Sequence, residues 1–114
     1  MMDIALHALA EPRRRDILRL IYNKELSSGE ISSHFEVTGP AISQHLKVLV
    51  DAGLATMRKQ GTKRLYQARP EGLAEVRAYL DGFWEENLQQ LKMAAEAEER
   101  RSARRGPISK KRRA

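Results

Sequence analysis

No cysteine occurs in the 114 residues, which excludes a disulfide framework, a thiolate metal site and a thiol redox switch. Aromatic residues are scarce: one Trp, three Tyr and two Phe. A single chain of this size can bury a core, but pairing with a second copy would help it. No apolar run is long enough to span a membrane. The first ten residues lack the basic stretch and long apolar stretch of a signal peptide. A cytoplasmic protein without a membrane partner fits these absences.

Acid is also absent from one end. Residues 100–114 hold eight Lys or Arg and no Asp or Glu. Their +8, set against the overall +6, leaves −2 for residues 1–99. The basic balance of the whole chain thus says little about its folded part. We divide the chain into a folded domain, 1–99, and a basic disordered tail, 100–114. Any case for nucleic acid has to come from the folded domain.

Along that domain the apolar spacing is mostly helical. Residues 3–9 form a short apolar-rich helix. Glu11-Pro12 punctuates, and Ile17, Leu18, Leu20 and Ile21 then recur at helical spacing. Residues 27–35 read as a third helix, with Ser27 and Glu30 at the spacing of a capping box. Thr38 caps a fourth helix whose body is 41–52, and Gly53 follows its end. Two short helices joined by a tight turn make a helix-turn-helix. Residues 54–59 and 64–68 are extended, joined by Gln60-Gly61-Thr62-Lys63, a hairpin directly after the second of those helices. Pro70 opens a last helix with a broad stripe of Leu73, Val76, Leu80, Phe83, Trp84, Leu88 and Leu91. Its continuation through residues 94–101 stays open, and Gly106-Pro107 should stop it. The fold class is mostly α with a small β-hairpin: a winged helix-turn-helix.

On the fourth helix, at about 100° per residue, Ile42, Leu46, Leu49 and Val50 gather on one face. Pro40, Gln44, Lys47 and Asp51 occupy the other, with Ser43 at its edge. Small and hydrogen-bonding residues towards the N-terminus of such a helix suit the major groove. Gln pairs with the N6/N7 edge of adenine, and Ser reaches base or phosphate. An ordinary solvated face has the same composition. Asp51 is too near the far end to meet phosphate. Arg58, Lys59, Lys63, Arg64 and Arg69 put five positive charges on and beside the hairpin, with no acid from Thr56 to Arg69. Such charges suit phosphate. Arg13, Arg14 and Arg15 open the second helix, an unfavourable place for cations without an outside partner. Phosphate, or the acids Glu11 and Asp16, would serve equally.

Three stretches resemble the ArsR-type (arsenic-repressor-like) winged-helix repressors, over about residues 3–92. They are Ala8-Leu-Ala-Glu-Pro-Arg-Arg-Arg-Asp-Ile-Leu18, Ala41-Ile-Ser-Gln-His-Leu-Lys-Val-Leu-Val-Asp-Ala-Gly-Leu54 and the hairpin Arg58-Lys-Gln-Gly-Thr-Lys-Arg-Leu-Tyr66. The resemblance implies a homodimer joined by the first and last helices, bound to a double-stranded DNA operator and repressing transcription, often of its own operon. Combined with the residue pattern, it puts DNA contacts on Thr38, Pro40, Ser43, Gln44, His45 and Lys47 of the helix. Lys59, Thr62, Lys63 and Arg64 serve on the wing. The dimer contact falls on Leu6, Leu80, Phe83, Trp84, Leu88 and Leu91.

The chain departs from the metal-sensing branch of those repressors. Where that branch has a cysteine pair, this sequence has Leu26-Ser-Ser-Gly-Glu-Ile31. Asp81 and Glu85 lie one turn apart on a helix without His, and zinc favours N or S donors. We expect no metal and no cofactor; an inducing ligand is not legible. His7, His34 and His45 fall on three helices without a common partner. Ser43 and His45 point to different sides of one helix, and no Gly-rich phosphate loop is present, so no catalytic residue is assigned. Two other readings compete: a helical protein–protein adaptor, which leaves the basic wing unexplained, and a broad-specificity architectural DNA-binding protein dominated by the tail.

Overall fold

Glu11 opens the first capped helix. Its carboxylate accepts the Arg13 N–H at 3.2 Å, and Pro12 takes the first turn, where its missing N–H is no loss. The computed structural model describes residues 2–105, with side chains described through residue 103. Its elements are α1 (Met2–Leu9), α2 (Pro12–Leu20), β1 (Leu26–Ser27), α3 (Ser28–Ser32), α4 (Gly39–Asp51), β2 (Ala55–Gln60), β3 (Lys63–Ala68) and α5 (Pro70–Arg105). This is the mostly helical winged fold expected from the sequence.

The expected caps form. Ser27 Oγ accepts the Glu30 N–H at 3.1 Å while Glu30 returns a carboxylate to the Ser27 N–H at 2.8 Å. Thr38 Oγ1 accepts the Ala41 N–H at 3.2 Å. Helix α3 is shorter than the apolar spacing suggested, ending at Ser32 rather than at Phe35. Two side chains explain it: Ser33 Oγ and His34 Nδ1 both take the Glu30 carbonyl, at 2.7 and 3.0 Å. The chain then tightens through bonds from the His34 N–H to Ile31 and from the Phe35 N–H to Ser32.

The sheet has a strand that sequence reading missed. Leu26 and Ser27 pair with Tyr66 and Leu65, making an antiparallel sheet in the order β1-β3-β2. Two residues carry no legible alternation. The hairpin loop is also tighter than expected. Gln60 pairs with Lys63, so only Gly61 and Thr62 turn the chain, with Gly61 at φ +64°. Glycine with positive φ at the first turn position is the type II′ arrangement, which suits the twist of paired strands.

The core is mainly aliphatic. Ile17, Ile21, Ile31, Ile42, Leu46, Leu49 and Leu54 are fully buried, drawn from α2, α3, α4 and the segments that follow α2 and α4. Each such side chain is worth roughly 1.5–3 kcal/mol of transfer free energy. Helix α5 docks its first turn by a backbone approach. A Cβ on Gly72 would lie 2.0 Å from the Gly53 carbonyl oxygen, and Arg69 Nη1 donates to that same oxygen at 3.1 Å.

The chain divides into two compact units between Tyr79 and Leu80, within α5. The sequence reading ran one domain to residue 99. Helix α5 continues through Arg105, past the boundary drawn at 99/100. The Gly106-Pro107 stop and the rest of the tail, 106–114, lie outside the described residues. No described helix is long and apolar enough to cross a membrane.

Candidate nucleic-acid interface

Helix α4 is oriented by its apolar face. Ile42, Leu46 and Leu49 are buried, so Pro40, Ser43, Gln44 and Lys47 are exposed. Thr38 is exposed at the cap. Lys47 reaches along the helix to Asp51 at 3.0 Å, an exposed pair that solvent weakens and that a phosphate can displace. A groove of about 530 Å³ runs between α4 and the sheet. Pro40, Ser43, Gln44 and Lys47 line one side, Met57, Arg64 and Tyr66 the other.

The register sorts the wing charges by face. Lys59 pairs directly with Arg64, and Met57 with Tyr66. Side chains alternate along a strand, so these four share the face that looks onto the groove. Two cations directly opposite repel each other, a small cost that a bound anion would offset. Arg58 and Lys63 belong to the other face. There Arg58 makes a two-pronged contact with Glu25, at 2.6 and 2.8 Å. That bond holds the Glu25 carboxyl below its usual range and raises Arg58. Lys63 contributes a minor attraction to Glu30, whose carboxyl is lowered chiefly by the Ser27 N–H and hydroxyl. Thr62 is exposed at the tip.

Of the five positive charges read as one cluster, the groove therefore takes Arg64, with Lys59 on the same face. Arg58 straps the sheet and Arg69 caps a carbonyl. Sequence reading missed Met57, Tyr66 and Ser28 as groove lining, and also Val50, which it grouped with the buried face of α4 but which is half-buried at the groove. Strand alternation outward from Arg64 would have found the first two. Ser28 gave no signal.

The Arg13–Arg15 side chains do not bond Glu11 or Asp16, the acids suggested as one set of partners for them. Arg14 Nε donates to the Ala8 carbonyl and Arg15 Nη1 to the Leu9 carbonyl, each at 2.7 Å. The cations sit at the negative end of α1, where the helix dipole welcomes them. Arg13 stacks 4.8 Å above the Phe35 ring. His45 stands apart from its exposed neighbours: it is half-buried, with Nδ1 3.2 Å from Arg14 Nη1. Burial first, then the Arg14 charge, lower its pKa below 6.5.

In the second unit, the stripe has no cover among the described residues. Leu80, Phe83, Trp84, Leu88 and Leu91 are 45–62% exposed, an apolar array unusual for a monomer surface. On α1, Leu6 packs against its own core and Ile4 is the exposed apolar side chain. Among the described residues no group of three or more His, Asp or Glu could hold a metal ion.

Residues 11–56 match the family model described as bacterial regulatory protein, arsR family. The chain is 46% identical over 82 residues to the HTH-type transcriptional regulator Rv2034 of Mycobacterium tuberculosis, covering 72% of this chain and 77% of that one. It is 40% identical over 80 residues to the arsenical resistance operon repressor of Staphylococcus xylosus, covering 70% and 77%. Among solved structures, a possible transcriptional regulator for arsenical resistance superposes with a TM-score of 0.69 at 42% identity, over 79% of this chain and 94% of that chain.

Proposed function

The chain belongs to the ArsR family of bacterial regulatory proteins, which are DNA-binding transcriptional regulators and not enzymes, and from that premise we propose that it is a cytoplasmic repressor binding an inverted-repeat operator as a homodimer. The observation that carries this reading is the groove in which Ser43 and Gln44 of α4 face Arg64 of β3. A helix presenting an amide and a hydroxyl reads base edges, and the cation beside it meets phosphate. The exposed stripe of Leu80, Phe83, Trp84, Leu88 and Leu91 supports the dimer. Two-fold symmetry then asks for half-sites one helical turn, or a multiple, apart.

Two relatives are named arsenical resistance operon repressors, but this sequence lacks cysteine, so thiolate sensing is closed to it. The repressor has no metal trigger in this reading. The test is a binding-site selection on wild type and Gln44→Ala. A dyad motif that loses information at one position per half-site in the variant is expected, since a two-bond amide contact carries about 1–3 kcal/mol of discrimination. A motif without a dyad refutes the symmetric dimer. A motif unchanged by Gln44→Ala refutes the reading face. Reporter output from the selected site, with and without the protein, distinguishes repression from activation.

A further inference from the structure

Arg14 lies outside the groove yet touches the helix that lines it. Its Nε donates to the Ala8 carbonyl at 2.7 Å, Nη2 reaches the His7 carbonyl at 3.4 Å, and Nη1 lies 3.2 Å from His45 Nδ1. A guanidinium can only donate. The facing nitrogen of His45 must therefore carry a lone pair, so the imidazole is neutral with its proton on Nε2. One planar fork thus ties the last turn of α1 to α4, at the residue directly after Gln44.

We propose that Arg14 is a positioning residue for base reading: through neutral His45 it fixes the rotation of α4 that aims Ser43 and Gln44 into the groove. The inference rests on α4 being the reading helix. Its physical basis is directionality. The Ile42, Leu46 and Leu49 face holds α4 by apolar contact, which resists separation but is indifferent to small rotations. A hydrogen bond to a fork anchored on α1 carbonyls is not indifferent. The contact is also conditional. A protonated His45 has no lone pair to offer and sets two cations 3.2 Å apart.

The charges around His45 favour the neutral form. From α2, Arg14 and Arg13 oppose its protonation, and Glu11 favours it more weakly than burial and Arg14 oppose it. Helix α1 carries Asp3 and His7, and its contribution to the contact is the His7 and Ala8 carbonyls. On α4 itself, Lys47 and Asp51 bond each other. Above pH 6.5 the ring is neutral whether the chain is folded or not, and the contact is whole. As pH falls below 6.5 the unfolded chain takes the proton first and stability declines. At lower pH the folded ring is protonated too, and α4 is released.

The test compares affinity for the selected operator with affinity for a shuffled duplex, from about pH 8 to about pH 5. For wild type, the operator preference holds at and above pH 6.5 and falls at least about fivefold, the low end of one misaligned base contact, at the lower pH where the folded ring takes its proton. Affinity for the shuffled duplex does not fall, because an added cation does not weaken phosphate attraction. His45→Gln keeps an acceptor for Arg14 at every pH, so its profile is flat. Arg14→Lys keeps the charge but cannot span three acceptors, so its operator preference is low already at pH 8. Amide NMR without DNA shows the α4 backbone shifting with the His45 titration. A wild-type profile that stays flat through the His45 titration overturns the proposal, as does a His45→Gln variant that keeps the decline, or α4 amides that ignore the titration. A wild type with no operator preference at pH 8 refutes the reading helix instead, and the amide titration still decides whether His45 positions α4.

Discussion

Removing Lys59 and Arg64 together should weaken DNA binding while leaving the fold as stable or slightly more stable. The two are direct cross-strand partners on the groove face of the hairpin. Neither forms an ion pair among the described residues. Their repulsion costs the free protein a few tenths of a kcal/mol at physiological salt, which the double alanine variant recovers. In the complex each cation that neutralises a phosphate contributes about 0.9 to the slope of log affinity against log salt. The variant should therefore lose nearly two units of slope per protomer. Lys63→Ala and Arg58→Ala are the internal controls. Their side chains belong to the opposite face, and Arg58 is already bonded to Glu25. Anisotropy titrations over a series of salt concentrations measure the slope, and thermal unfolding measures stability. A defect of folding would lower both; phosphate contact lowers binding alone. Equal slope losses in Lys63→Ala and in the double variant would refute the assignment by face.

Other outcomes follow from the packing. Gly72→Ala places a Cβ 2.0 Å from the Gly53 carbonyl oxygen, more than an ångström inside contact, and the obstacle is backbone. Its thermal midpoint should drop by several degrees despite the better helix propensity of Ala, a net loss of about 1–3 kcal/mol; an unchanged midpoint would mean α5 does not dock there. Trp84→Ala with Leu88→Ala should shift the molecule towards monomer in sedimentation, and a wild type monomeric at micromolar concentration ends the dimer reading. Zinc, nickel and cadmium should leave the operator complex intact, and stoichiometric release of DNA by any of them would contradict the donor set.

Which parts of the fold were legible follows from what each signal measures. The caps at Ser27 and Thr38 are local chemistry, in which a side chain meets a backbone group three residues on, so spacing alone specifies them. The orientation of α4 is a period, and Ile42, Leu46 and Leu49 declare it. Strand β1 lies beyond both kinds of signal. Leu26 and Ser27 are strand only because β3 is beside them, and two residues cannot display alternation. The end of α3 was misjudged for a related reason. Ile31 and Phe35 keep helical spacing, but Ser33 and His34 compete for the Glu30 carbonyl, and that competition is invisible to an apolar count.

The arginines mark the limit most clearly. Besides Lys47 of α4, eight clustered positive positions drew attention as candidate phosphate contacts: Arg13, Arg14, Arg15, Arg58, Lys59, Lys63, Arg64 and Arg69. Density of charge was the signal, and density does not say what a charge faces. Arg58 faces Glu25 across the central strand, Arg69 faces a carbonyl, Arg13 faces a ring, and Arg14 and Arg15 face the end of α1. The three lysine and arginine positions left over are those on the hairpin near its tip, Lys59, Lys63 and Arg64. There the register separates Lys63 from the other two. A guanidinium can satisfy carbonyls and acids at several angles at once, whereas an ammonium is a point charge. Arg13, Arg14, Arg15, Arg58 and Arg69 are correspondingly side chains that hold one segment to another. Of the hairpin's cations Arg64 is the one that lines the groove, and its substitution is where structure and DNA affinity should come apart.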